Sequence, residues 1–204
     1  ALEQLGSSTF TKMFGIDKSL RDKTKEDIYK VVIAVEEMAK SKTGALIVFE
    51  RDIKIQDIIE TGIKLDSEIS PQVLVNIFVP KTPLHDGAAV ISNNKITAAA
   101  CILPLADDKD IAKELGTRHR AAIGISKESD AIAVVVSEET GKVSIAKDGT
   151  LIADVKEDAL KRILIKNLVT ARFGSEQKSN SIAKMKERMA AKRAKKQENN
   201  VIDK

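Results

Sequence analysis

Two apolar runs, Ala88–Ser92 and Lys95–Leu103, are separated by only two residues, Asn93-Asn94. No other feature limits the fold so tightly. A two-residue link between strands needs positive φ at its centre, and Asn accepts that geometry more readily than most residues. The runs are therefore expected to pair as an antiparallel hairpin. Two further runs, Gly44–Phe49 and Ala131–Val136, are continuously apolar. Strands of that kind belong in the interior of a sheet covered on both faces. Thr140-Gly141 turns the chain into a strand at Lys142–Ala146, and Asp148-Gly149 marks a second turn.

Helical patterns alternate with these runs. Thr24 reads as an N-cap with Asp27 as its capping-box partner. Ile28, Val31, Val32, Val35 and Met38 then follow at helical spacing to about Lys40. A short helix is expected around Ile55–Glu60, ending at Thr61-Gly62. Ser70-Pro71 is an N-cap followed by proline at the first helical position, with a helix reaching toward Pro80. Thr117 is expected to cap a helix through Ser126, and Lys156–Val169 is amphipathic. Intermingled helices and tightly linked strands predict an α/β (α+β) domain, a mixed central β-sheet flanked by helices. The expected organisation is a loose leader at 1–23, a folded domain at 24–170 and a basic, partly helical or disordered tail at 171–204.

The 204 residues carry a net charge of +4, and its distribution matters more than its sum. Residues 175–204 hold nine basic and four acidic side chains, leaving 25 basic and 26 acidic in the remainder. The basicity belongs to the tail, which reads as a solvated extension able to meet anionic surfaces. Aromatic residues are 3 % with no Trp, which argues against base-stacking platforms for single-stranded nucleic acid. The single cysteine, Cys101, lies in an apolar run and reads as packing. No run reaches the roughly 18 apolar residues that suggest a membrane span.

Three segments carry possible chemistry. In Pro83-Leu84-His85-Asp86-Gly87-Ala88, glycine lets a ligand approach the backbone, while His85 and Asp86 are adjacent metal-ligand types. The plainer reading is an Asp-Gly turn before a strand. In Thr117-Arg118-His119-Arg120, cations fall in a first helical turn, where the macrodipole disfavours them. That placement makes sense if a polyphosphate is the guest, because the same turn offers free N–H groups and guanidiniums grip phosphate oxygens. Ser137-Glu138-Glu139 follows a buried strand directly, and its acids could complete a metal site with Asp86 or His85. No P-loop, dinucleotide fingerprint, nucleophile elbow or zinc-type cysteine pair is present.

Thr82-Pro83-Leu84-His85-Asp86-Gly87-Ala88 and Leu115-Gly116-Thr117-Arg118-His119-Arg120-Ala121-Ala122 together resemble the paired signature of diadenylate cyclase domains. The likeness extends through Gly44-Ala45-Leu46-Ile47, Thr61-Gly62-Ile63, Cys101–Leu105 and Val136–Gly141, covering roughly residues 24–168. The resemblance implies that two domains meet face to face as a homodimer, each holding one ATP. Each 3′-hydroxyl would attack the other α-phosphate, giving cyclic di-AMP and two pyrophosphates. It implies that Asp86, Arg118 and Arg120 are catalytic. Gly87, Ala88, Leu103, Thr117, Arg118, His119, Arg120, Ser137 and Glu138 would contact the nucleotide. His85, Asp86 and Glu139 would hold a divalent metal, manganese before magnesium or cobalt. Ile102 stands where some members carry an aromatic residue, and it offers only aliphatic contact to adenine.

Within that family the chain looks most like the membrane-anchored type, with its catalytic domain at the cytoplasmic face of the cell membrane. Membrane helices would precede Ala1, residues 1–23 would be juxtamembrane, and regulatory proteins could bind. No specific nucleic-acid partner is expected. The alternative from another class is a non-catalytic nucleotide-binding or scaffold domain, which would bind without turnover.

Overall fold

The computed structural model describes residues 3–106 and 115–170, with the backbone alone at 3–18. The elements are α1 (Glu3–Ser41), β1 (Ala45–Phe49), α2 (Gln56–Thr61), β2 (Ile63–Glu68), α3 (Pro71–Ile77), β3 (Ala88–Ser92), β4 (Lys95–Cys101), α4 (Thr117–Glu128), β5 (Ile132–Val136), β6 (Val143–Lys147), β7 (Thr150–Ile152) and α5 (Glu157–Leu164). Asp22–Leu164 forms one compact unit. Of the other, Ala1–Arg21 with Ile165–Lys204, the described parts are the first stretch of α1 and a π-helical turn at Ile165–Thr170. The basic tail expected at 171–204 lies outside the described residues.

The seven strands form one mixed sheet in the order β2-β4-β3-β1-β5-β6-β7. Only β1 and β3 pair in parallel; every other neighbour is antiparallel. β1, β3 and β5 are buried along their whole length, as continuous apolar runs require. Ile47, Val48 and Val135 have no exposed surface. Truncating Ile47 to alanine in such a setting costs about 2–5 kcal/mol. The Asn93-Asn94 turn has φ of 49° and 61°, the positive pair a two-residue hairpin needs.

Several expectations are corrected. The leader is not loose: α1 begins at Glu3 and runs unbroken through Thr24, which is mid-helix and not a cap. No proline interrupts residues 3–41, so nothing in the backbone stops the helix early. The groups read as a capping box instead hold the hairpin turn. Asn94 Nδ2 donates to Thr24 Oγ1 (3.1 Å) and to the buried Asp27 carboxylate (2.9 Å). Two edge strands, β2 and β7, were not expected; both are short and largely exposed, so neither has an apolar signature. α5 stops at Leu164 and gives way to the π-helical turn, where one helix to Val169 was expected.

Candidate functional site

The strand directions bring one set of ends together. β1 and β3 begin where β4 and β5 finish, so Leu46, Gly87, Cys101 and Val136 lie at the same end of the sheet. A pocket of about 800 Å³ opens there, with the start of α4 on its rim. Leu46, Leu103, Leu105, Leu115, Ala121 and Val136 form an apolar wall. Asp86, Thr117, Arg118, His119, Ser137, Glu138 and Glu139 supply its polar side. The volume lies within the range of small-molecule and cofactor sites, roughly 300–1,000 Å³.

Asp86 is placed by backbone geometry. Gly87 follows it with φ of 119°, and a Cβ there would sit 2.7 Å from the Ala100 carbonyl carbon. The β3–β4 register shifts beside it, between Ala88 and Val90, and Ala100 itself has φ of 54°. The bulge brings two backbones close enough to exclude any side chain at 87. The Asp86 carboxylate is exposed to the pocket and accepts no protein hydrogen bond among the described residues.

α4 presents its first turn to the same space. Gly116, not Thr117, is its N-cap, and no side chain caps it. Thr117 is thus the first helical residue, which moves its N–H into the uncapped set. The first turn holds no acid. Arg118 reaches Glu138 at 2.8 Å, and Gly44 makes room for it: a Cβ at 44 would lie 2.7 Å from Arg118 Nη1. Glu138 is 65 % exposed, so this pair orients the guanidinium and adds little stability.

His119 is half-buried, and burial lowers its pKa, opposed by the nearby Glu139 carboxylate. Its Nε2 lies 3.5 Å from Ser144 Oγ. Burial pushes the Cys101 thiol up to about 11, so it is an inert wall of the pocket.

Not every expected site residue arrives. Ala88 is wholly buried and its side chain packs in the core. Arg120 does not line the pocket: its Nε donates to the Ala106 carbonyl at 3.2 Å. His85 is also outside the lining, and its Nδ1 lies 2.6 Å from the Thr82 carbonyl oxygen. Among the described residues no three His, Cys, Asp or Glu side chains cluster as a metal cage. Asp86 and Glu139 both face the pocket, however, and two carboxylates completed by substrate phosphates are a common way to hold a divalent ion. The apolar wall was not singled out as ligand-binding, apart from Leu103 and Ile102. Leu46 and Val136 look like ordinary core in the sequence, and only the strand directions reveal their shared end.

A mixed sheet carrying an open pocket at one end, lined by apolar side chains together with a guanidinium, three carboxylates and a bare helix start, defines an α/β ligand-binding domain. The family model described as "DisA bacterial checkpoint controller nucleotide-binding", abbreviated DAC, matches residues 32–151, and the chain belongs to that family. The chain is 52 % identical over 165 residues to the cyclic di-AMP synthase CdaA of Bacillus subtilis, a match covering 80 % of this chain and 59 % of that protein. It is 49 % identical over 170 residues to a diadenylate cyclase of Listeria monocytogenes, covering 83 % of this chain and 62 % of that one. The chain thus spans about three-fifths of the length of these relatives. Among solved structures, DacA from Staphylococcus aureus superposes with a TM-score of 0.69 at 51 % identity, covering 70 % of this chain and 95 % of that one. A protein of Bacillus cereus described as membrane spanning gives 0.60 at 46 % identity, covering 62 % of each chain.

Proposed function

We propose that the chain is a diadenylate cyclase, a nucleotidyltransferase that joins two ATP molecules into cyclic di-AMP and releases two pyrophosphates. The observation that carries the reading is the unpartnered Asp86 carboxylate in the same pocket as Arg118 and the uncapped start of α4. The names of the relatives support it. In this reading the apolar wall takes adenine. The α4 N–H groups, Thr117 and Arg118 take phosphate oxygens.

Asp86 accepts the proton of a 3′-hydroxyl as its oxygen attacks the α-phosphorus of the second ATP. The bond from that phosphorus to the oxygen bridging the β-phosphate breaks, and pyrophosphate leaves. Two such steps close the ring. Phosphoryl transfer depends on positioning and charge neutralisation, which this pocket can supply for one ATP. The second ATP must come from another protomer, so the active species is a face-to-face homodimer. Asp86 and Glu139 fit a divalent ion, with His85 able to join through its free ring nitrogen. The ion, manganese before magnesium or cobalt, would neutralise phosphate charge and acidify the hydroxyl. Location at the cytoplasmic face of a membrane belongs to the same proposal. No described helix is long and apolar enough to cross one.

The experiment is incubation of the protein with ATP and manganese, with product separated by chromatography. Cyclic di-AMP should form, and its rate per mole of protein should fall on dilution below the dimer dissociation constant. ATP binding with no product at any protein concentration would replace the cyclase by the non-catalytic nucleotide-binding or scaffold alternative.

A further inference from the structure

Arg120 belongs to the basic run that marks the start of α4, yet its side chain turns away from the pocket toward the segment 102–106. Its Nε donates to the Ala106 carbonyl at 3.2 Å, and its own carbonyl accepts from the Ala106 N–H at 3.1 Å. One residue thus closes a reciprocal pair on one end of this segment. At the other end, Ile102 N–H donates to Thr61 Oγ1 at 2.9 Å. Between these two ties lie Leu103 and Leu105, both on the pocket's apolar wall. Gly124, one turn further along α4, meets the Pro104 carbonyl so closely that any Cβ would overlap it. The segment is therefore pressed onto the helix and fastened at both ends.

We propose that Arg120 is a positioning residue, which sets the apolar wall of the pocket by pinning Ala106, and that it does not grip phosphate. The proposal rests on the nucleotide reading above and deepens it. It gives two neighbouring arginines different roles. Arg118 serves the charged part of a nucleotide, while Arg120 serves the base through Leu103 and Leu105.

The test uses the whole chain, with adenosine and ATP as paired probes in calorimetry. Arg120→Ala should weaken adenosine and ATP by the same factor, about five- to tenfold, as expected for loss of a hydrogen bond that orders a wall. Arg118→Ala should weaken ATP and leave adenosine unchanged. The informative variant is Arg120→Gln. Glutamine carries its amide nitrogen at the same bond position as arginine Nε but bears no charge. A pin predicts that Arg120→Gln restores binding of both probes to near wild type. A phosphate grip predicts that it behaves like Arg120→Ala toward ATP while neither variant changes adenosine, and that result would overturn the proposal. If Arg120→Ala does not fold, the Arg120→Gln pair of affinities decides alone.

A ligand-free readout separates this idea from the cyclase itself. Amide exchange at Ala106, whose N–H donates to the Arg120 carbonyl, should quicken in Arg120→Ala and not in Arg120→Gln. Unchanged exchange in Arg120→Ala would defeat the pin whether or not nucleotide binds. Failure of the wild type to bind ATP, with the exchange pattern as expected, would defeat the cyclase reading and leave the pin standing.

Discussion

Where β3 turns into β4, Asn94 is held by Thr24 and Asp27, and Asn93 completes the turn. Nearby, the buried Glu50 carboxylate accepts from Lys54 Nζ (2.8 Å), Ser92 Oγ (2.6 Å) and Ile55 N–H (3.1 Å). Asp130 accepts from the Asp52 and Ile53 N–H groups at 3.2 and 3.0 Å. At the opposite end of the same strands, Asp86 has no protein partner among the described residues and α4 starts without a cap. At the first end Asp27, Glu50 and Asp130 each accept from the protein's own donors; at the second, the Asp86 carboxylate and the start of α4 do not have such partners among the described residues. Folding favours the first arrangement because orphaned polar groups are costly when dry. The second persists because Asp86, Gly116 and Thr117 are exposed, where an unpaired polar group costs little.

This contrast can be broken in four ways, from the largest effect to the smallest. Asp86→Asn should lower cyclase turnover by about 10²–10⁴-fold, the usual contribution of a positioned general base, with an unchanged melting temperature. A large drop in melting temperature would mean that the pocket end carries the fold after all. Glu50→Ala should do the reverse. It strands Ser92 and the start of α2, so chemical denaturation should show a loss of about 2–4 kcal/mol while nucleotide affinity holds. Arg118→Ala comes third, with ATP dissociation constants raised about tenfold, read by calorimetry, and little change in stability because its partner Glu138 is exposed.

The smallest effect is pH dependence, and it differs between the two ends. Burial lowers the His119 pKa, so the unfolded chain binds that proton more readily. Stability should therefore fall as pH drops below the free histidine value, about 6.5. His119→Gln should remove this loss, and Glu139→Gln should steepen it, because Glu139 opposes the shift. Glu50 titrates lower. Desolvation raises its pKa, but hydrogen bonds from Lys54, Ser92 and Ile55 together hold it below the usual carboxylate value. Its contribution is present above about pH 4.3 and is lost as pH falls through the lower folded value. Melting curves from pH 8 to 3 should resolve two declines, each abolished by its own variant.

The central strands were legible because full burial writes a continuous apolar run, and the hairpin because Asn-Asn accepts the positive φ that a two-residue turn demands and most residues resist. β2 and β7 left no such trace, since an exposed edge strand need not alternate. The length of α1 was missed because Thr24 and Asp27 have the composition of a cap while serving a tertiary contact to Asn94. The site was legible as residue types and less so as directions. Asp86, Arg118 and Glu139 reach one pocket, but nothing in Thr117-Arg118-His119-Arg120 tells which guanidinium faces in. That depends on where 102–106 lies, a long-range fact. Ala88 shows the same dependence: it follows Gly87 in sequence, but its side chain lies on a buried strand and packs in the core.

Gly87 bears on how relatives of this chain should be compared. Its positive φ and the crowding against Ala100 would forbid a side chain even if the pocket never met a ligand. A family in which this position never varies would be recording backbone geometry, and inactive descendants would keep the glycine as faithfully as active ones. On the proposed cyclase reading, the position that reports retirement from catalysis is its neighbour. Asp86 has no protein partner among the described residues, so under that reading drift there, with Gly87 still in place, would mark a domain that has stopped making product and kept its shape.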